Sequence, residues 1–221
     1  MARKITFSIG EFYHIYNRGN SKQIIFKNNV DRIRFQKLLY ACNGNKPVTF
    51  RSIQNQTLDK IERGDTLVDI GAYCLMPNHF HLLLHEKIEN GISTFLGKIS
   101  TAYSMYFNKR HERTGKLFEG AFKAEHVDND DYLKYLFAYI HLNPVKIIDP
   151  KWKEDGIKNL KETKKYLDSY TYSSYIDYIG IYRDEKSIIN RDPFPAYFEE
   201  HKDFKSFIDE WLSVSVKKTT Q

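Results

Sequence analysis

The chain has 221 residues, 41% hydrophobic and 28% charged, which fits a folded globular protein rather than a disordered one and suits one generous domain or one domain with an elaboration. The 34 Lys and Arg exceed the 28 Asp and Glu, and the resulting formal charge of +6 leans weakly toward a polyanionic partner such as nucleic acid. Cys42 and Cys74 fall in no metal-ligand spacing, Met1-Ala2-Arg3-Lys4-Ile5 lacks the apolar core of a signal peptide, and no apolar run is long enough to span a membrane. A reduced, cytoplasmic protein with no membrane segment is expected.

Phe12-Tyr13-His14-Ile15-Tyr16 predicts a strand, which Asn17-Arg18-Gly19-Asn20-Ser21 stops. Apolar residues at 30, 33, 35, 38 and 39, with an Asn cap nearby, predict a helix. Residues 48–64 read either as a short strand and loop or as an insertion. Leu67 to Leu75 is a second strand, Met76-Pro77-Asn78 a tight turn, and His79 to His85 a third strand antiparallel to the second. A helix carrying Phe95, Ile99, Tyr103 and Phe107 follows Gly91-Ile92-Ser93, and then a polar, mostly basic loop from His111 to Lys116. Ala121 to Val127 is a fourth strand. Asp128-Asn129-Asp130 starts a helix that runs from Asp131 to about Leu142, where Asn143-Pro144 is expected to stop it.

Residues 151–168 hold six lysines and read as a solvated helix or a mobile arm. Aromatic helices follow around Ala196–Phe198 and Phe204–Leu212, and the tail from Lys217 to Gln221 is expected to fray. The order predicts an α+β fold: a ferredoxin-like antiparallel sheet with helices packed mainly on one face. Residues 1–150 would form that domain, and 151–221 a helical C-terminal extension packed on it.

His79 and His81 are where chemistry enters. Alternate side chains on a strand share a face, so the two imidazoles stand together while Phe80, Leu82 and Leu84 point the other way. Such a pair is either hydrogen-bonded surface or two ligands of one divalent ion. A third ligand must come from elsewhere. Tyr135, Tyr139 and Asn143 fall on one helical stripe, and Leu133, Leu136, Phe137 and Ile140 on the apolar one. The tyrosines either extend the core or face a metal site that the Asn143 amide oxygen completes. His85, past the other two histidines, reads as surface, and Tyr103 and Tyr106 as packing residues.

Three stretches carry a resemblance: His79-Phe80-His81-Leu82-Leu83-Leu84; Lys116-Leu117-Phe118-Glu119-Gly120-Ala121-Phe122-Lys123; and Tyr139-Ile140-His141-Leu142-Asn143-Pro144-Val145-Lys146, whose tyrosine lies about 58 residues beyond His81. Together they resemble the single-tyrosine HUH transposases, most closely the REP-associated tyrosine transposases. Tyr13-His14-Ile15-Tyr16-Asn17-Arg18-Gly19-Asn20 and Tyr172-Ser173-Ser174-Tyr175 are similar to that branch too. The resemblance implies a metal pair in His79 and His81, a nucleophile in Tyr139 and a helper ligand in Asn143, on a ferredoxin-like sheet with the tyrosine helix against it. It also implies Mg2+ or Mn2+, which suit phosphate and amide oxygens.

The expected reaction is cleavage and rejoining of single-stranded or hairpin DNA through a 5′-phosphotyrosine. No nucleotide cofactor is needed, because the adduct keeps the bond energy. Lys98, Lys109, Arg110, Arg113, Lys116 and Lys123, with Arg18 and with Phe118 as a stacking group, are the expected DNA surface. Relatives imply a homodimer. The rival reading is a catalytically silent regulator of the same fold that binds hairpins; a structural zinc protein is disfavoured by the cysteine spacing.

Overall fold

The computed structural model describes residues 5–217, with side chains to residue 213. The expectations of no signal peptide at Met1 to Ile5 and of a frayed tail from Lys217 to Gln221 lie, but for Ile5 and Lys217, outside the described residues.

Strand β1 (Phe12–Arg18) leads into helix α1 (Asn29–Ala41), then a short helix α2 (Phe50–Ile53), the hairpin β2 (Val68–Met76) and β3 (His79–Glu86), helix α3 (Gly91–Arg110), strand β4 (Lys123–Val127) and helix α4 (Asp130–Leu142). The sheet order is β2-β3-β1-β4 and every pairing is antiparallel, the ferredoxin-like arrangement. Asparagines start the main helices. Asn28 accepts from the Asp31 amide and Asn129 from the Tyr132 amide (3.2 and 2.8 Å), each satisfying one of the unpaired amides of a first turn.

Both faces of the sheet are covered, rather than mainly one. On the first, Tyr13, Ile15, Phe80, Leu82 and Leu84 meet Phe35, Leu38 and Leu39 of α1 and Phe95, Ile99 and Tyr103 of α3. On the second, Ala72, Cys74 and Leu83 meet Leu133, Leu136, Phe137 and Ile140 of α4, with Tyr178, Phe198 and Phe204 from the C-terminal region. This explains why all nine residues of β2 are buried. Residues 48–64 contain no strand: α2 and the 3-10 turn Leu58–Lys60 bury Ile53, Leu58 and Ile61 against the first core.

The expected stop at Asn143-Pro144 is instead a continuation. Asn143 (φ −53°, ψ −40°) and Pro144 (φ −59°, ψ −23°) stay helical and the chain enters α5 (Val145–Ile148) at once. Proline costs nothing at the start of a helix, where its missing N–H would have no partner and its fixed φ already fits.

The lysine-rich stretch is ordered. It forms α6 (Trp152–Asp155), anchored by Trp152 at 5% exposure, and α7 (Leu160–Ser169), which buries Thr163 and Leu167. Beyond it, Tyr172-Ser173-Ser174 lies along the outer edge of β2. The Leu75 amide donates to the Tyr172 carbonyl and the Ser174 amide to the Tyr73 carbonyl, both at 3.0 Å, and Ser174 Oγ accepts from the Tyr73 amide at 2.9 Å. Arg183 locks this strap, donating to Asp177, to the Ser173 carbonyl and to the Tyr73 hydroxyl. The Ser-Ser motif is therefore an edge clasp. Helices α8 (Tyr175–Tyr178) and α9 (His201–Lys217) complete the second core.

Phe118 does not offer a stacking face. It is 7% exposed, with Phe80 and Tyr103 at ring-centre distances of 6.0 and 6.5 Å. Phe118→Ala should lower folding stability by about 3 kcal/mol in a denaturant titration and leave DNA affinity of the folded protein unchanged. A base-stacking Phe118 would do the reverse, weakening binding at constant stability.

Candidate active site

The second face of the sheet carries the histidines at the end where its apolar packing gives out. In the β1–β3 register Tyr16 lies opposite His81 and Arg18 opposite His79; in the β1–β4 register His14 lies opposite Glu125. Opposed residues on antiparallel strands share a face, so His14, Tyr16, His79, His81 and Glu125 converge from three strands.

His14 is the residue that sequence reasoning passed over. Its Nε2 lies 3.0 Å from His81 Nδ1, with the rings stacked 5.2 Å apart, and it is 4% exposed. His79 Nδ1 is 2.7 Å from Asn78 Oδ1. Each of the two candidate ligand rings thus has Nδ1 engaged and Nε2 left for a ligand, the way outer partners orient metal-binding imidazoles. The His79 and His81 rings stand perpendicular at 5.0 Å.

The tyrosine arrives from α4 of the same chain. The Tyr139 ring meets His81 edge-on at 5.4 Å and His14 at 5.7 Å. Asn143, one turn on, is 3% exposed; its Nδ2 donates to the Tyr139 carbonyl at 2.8 Å, and its side chain also favours the Tyr139 phenolate. Burial works in the opposite direction and prevails, holding the Tyr139 hydroxyl above its ordinary pKa. His14, Tyr16, His81, Glu125, Tyr132, Tyr135 and Tyr139 line a cavity of about 280 Å³. Glu125 accepts from the Tyr16 and Tyr132 hydroxyls, both at 2.9 Å, and lies 3.7 Å from His14 Nδ1. Burial raises the Glu125 pKa, but those donors outweigh it and hold the carboxylate ionised. Tyr16 is pushed up to about 12, by burial first and then by Glu125.

The imidazoles are neutral at physiological pH. Burial takes His79 down to about 4, helped by the charges of Lys146 and Arg18, and takes His81 well below its ordinary value, helped by His14 and His79. Among the described residues no three His, Cys, Asp or Glu side chains converge as a closed cage. The side chains here that could hold an ion are the two imidazoles and the Asn143 amide, fewer than the four ligands of a closed structural site.

The basic residues do not form one surface with the histidines. Lys98, on the α3 layer over the opposite face, donates to the Gly44 carbonyl at 2.6 Å. Arg110 Nε is 3.6 Å from buried Asp31, and Arg113 donates to Asn108 Oδ1 at 3.1 Å. Lys109 is exposed on the last turn of the same helix and Lys116 on the loop beyond it. Of the basic residues expected to form the DNA surface, Arg18 and Lys123 alone border the histidine face. Arg18 is paired with Glu119 (Nη2 to Oε1 2.9 Å), and Lys123 Nζ lies 5.9 Å from the Tyr16 ring centre. Among the other residues singled out from sequence, His85 binds Asp69 at 2.9 Å, Tyr103 donates to the Ile25 carbonyl at 2.6 Å and Tyr106 to Asp31 at 2.9 Å, the last two in the opposite layer.

His141 is fully buried on α4, its Nε2 2.7 Å from Ser174 Oγ, and burial lowers it to about 3. Its folded value lies below the unfolded one of about 6.5. Between the two the unfolded chain binds the extra proton, so stability falls as pH drops from 6.5 toward 3. Thermal midpoints measured from pH 7.5 down to 4 should fall steadily below 6.5, and His141→Phe should flatten part of that slope.

Residues 49–143 match the family described as transposase IS200-like. The matched segment contains His79, His81, Tyr139 and Asn143 and leaves His14 outside it. A search of curated protein sequences gave no match. Among solved structures, one of a REP-associated tyrosine transposase bound to a REP hairpin is similar, with a TM-score of 0.51 at 13% identity, covering 84% of this chain and 90% of that one. At that identity the likeness speaks for the fold.

Proposed function

Starting from a chain whose residues 49–143 match IS200-like transposases, we propose that the protein is a metal-dependent DNA strand transferase that cleaves and rejoins single-stranded or hairpin DNA through Tyr139. The observation that carries this reading is the Tyr139 ring edge-on to His81 at 5.4 Å, at the end of the second face where its apolar packing gives out. The hairpin bound in the similar solved transposase supports the DNA class. On this reading residues 1–150 carry the catalytic domain and 151–221 the extension.

His79 and His81, through Nε2, and Asn143, through its amide oxygen, would hold Mg2+ or Mn2+. The bound ion would act as a Lewis acid on a non-bridging oxygen of the scissile phosphate. His14 keeps His81 in one tautomer and orientation. Asn143 favours the phenolate of Tyr139, an ordinary tyrosine being a poor nucleophile at neutral pH. The Tyr139 oxygen attacks phosphorus as its proton leaves; the bond from Tyr139 to phosphorus forms, the bond from phosphorus to the 3′ oxygen breaks, and that oxygen takes up a proton. A later 3′-hydroxyl reverses the step and joins a new strand. Arg18 and Lys123, at the rim, would meet the DNA backbone.

The test is incubation with Mg2+ or Mn2+ and a labelled hairpin carrying a single-stranded extension, followed by a denaturing gel. A covalent protein–DNA species is the expected result. Hairpin binding without any adduct, and without any effect of the ion, would instead identify a silent DNA-binding regulator.

A further inference from the structure

Two lysines after the tyrosine helix lie beside the site: Lys146, which ends the Tyr139-to-Lys146 stretch, and Lys153, which belongs to no motif described above. Lys153, on α6, places Nζ 4.4 Å from the centre of the Tyr139 ring and 5.5 Å from that of Trp152. Lys146, on α5, follows Asn143 by one turn, its amide bonded to the Asn143 carbonyl at 3.1 Å. Among the described residues neither ammonium has a carboxylate within 4 Å, although Glu154 is next to Lys153 in sequence. Glu125, the acid of the cavity, is taken up by Tyr16 and Tyr132.

Resting on the reading of Tyr139 as nucleophile, we propose that Lys146 and Lys153 form a phosphodiester grip that holds the attacked phosphate over Tyr139, with Lys153 supplied by the C-terminal extension. For half-buried Lys153, an ammonium with no carboxylate within 4 Å and only the more distant charge of Glu154 to oppose it is costly, and a bound phosphate would relieve that cost. Burial, together with the neighbouring charge of Lys146, already holds the Lys153 ammonium below its ordinary pKa. Both positive charges reach His81, and that of Lys146 also reaches His79, so the pair flanks the imidazoles, Lys153 half-buried and Lys146 exposed at the rim. Two point charges with rotatable donors suit the two non-bridging oxygens of a phosphodiester without demanding one planar geometry. Burial of Trp152 at 5% exposure fixes α6, and hence Lys153, over the ring.

The test separates grip from chemistry. Affinity for a hairpin with a single-stranded extension is measured against salt in the Tyr139→Phe protein, which retains the ring but cannot react. Lys146→Gln and Lys153→Gln should each lower the slope of log affinity against log salt by about 0.7, and together by twice that, while Lys161→Gln, an exposed α7 control, leaves it unchanged. In the otherwise unmodified protein, Lys153→Gln should slow adduct formation about tenfold, and Lys153→Arg should restore most of it. Unchanged slopes for both lysines, or an equal change for Lys161→Gln, would overturn the grip. So would a loss in Lys153→Gln explained by a lowered thermal midpoint with the slope intact. If the slopes shift as expected but the unmodified protein forms no adduct, the grip stands and the strand-transfer reading fails.

Discussion

Tyr139→Phe is expected to remove covalent capture of DNA, by at least about 10³-fold, while leaving the fold and hairpin affinity in place. The phenyl ring keeps the edge contacts with His81 and His14 at 5.4 and 5.7 Å and the seat beneath Lys153. What is lost is the oxygen that attacks. Substitution by another tyrosine is unfavourable on geometry. Tyr103 and Tyr106 donate to Ile25 and Asp31 on the other side of the sheet. Tyr16 and Tyr132 are held by Glu125, whose negative charge opposes their ionisation. Mass spectrometry of the adduct reads the outcome. A phosphotyrosine at Tyr135, whose ring lies 5.8 Å from that of Tyr139, or an adduct surviving in Tyr139→Phe, would reassign the nucleophile.

The second large effect is expected from His81. His81→Ala removes one of two neutral imidazoles and also strands His14, whose Nε2 then loses its partner in a buried setting. Adduct formation should fall by about 10²–10³-fold, and calorimetric Mn2+ affinity with it. Chelation should bring the unmodified protein to the same low level, and chelating the His81→Ala protein should change nothing further. His14→Phe keeps both ligands and loses only their support, so ion affinity should drop by about 10–100-fold. Equal losses in His14→Phe and His81→Ala would mean that His14 binds the ion itself. Full activity of His81→Ala under chelation would remove metal from the mechanism.

What the sequence made legible was periodic. Alternation along His79 to Leu84 separated the two imidazoles from three apolar residues, and those residues do face the α1 and α3 core. The stripe of Leu133, Leu136, Phe137 and Ile140 is buried as its spacing implies. The second covered face was hidden because β2, buried on both sides, is nearly continuous apolar sequence with no alternation to report it. His14 was visible as a residue but not as a neighbour: its contact depends on pairing with a strand 67 positions away. Lys153 was lost in a lysine-rich stretch whose composition is that of solvated helix, because only the burial of Trp152 turns it inward. Phe118, among basic residues, looked like a base-stacking group, and tertiary packing took it into the core.

The clasp of Tyr172 to Ser174 on β2 has a consequence for how the chain comes to be folded. Tyr73 and Ser174 are 101 positions apart, so a growing polypeptide displays the finished β2–β3 hairpin long before its clasp has been synthesised. In that interval the outer edge of β2 is a row of unpaired amides and carbonyls, open to any other extended segment. Closing it requires a long-range contact, the slow kind, and Arg183 must follow for the clasp to lock. The vulnerable species in synthesis or refolding is therefore a chain cut or stalled between β3 and Tyr172, with its sheet built and its flank bare.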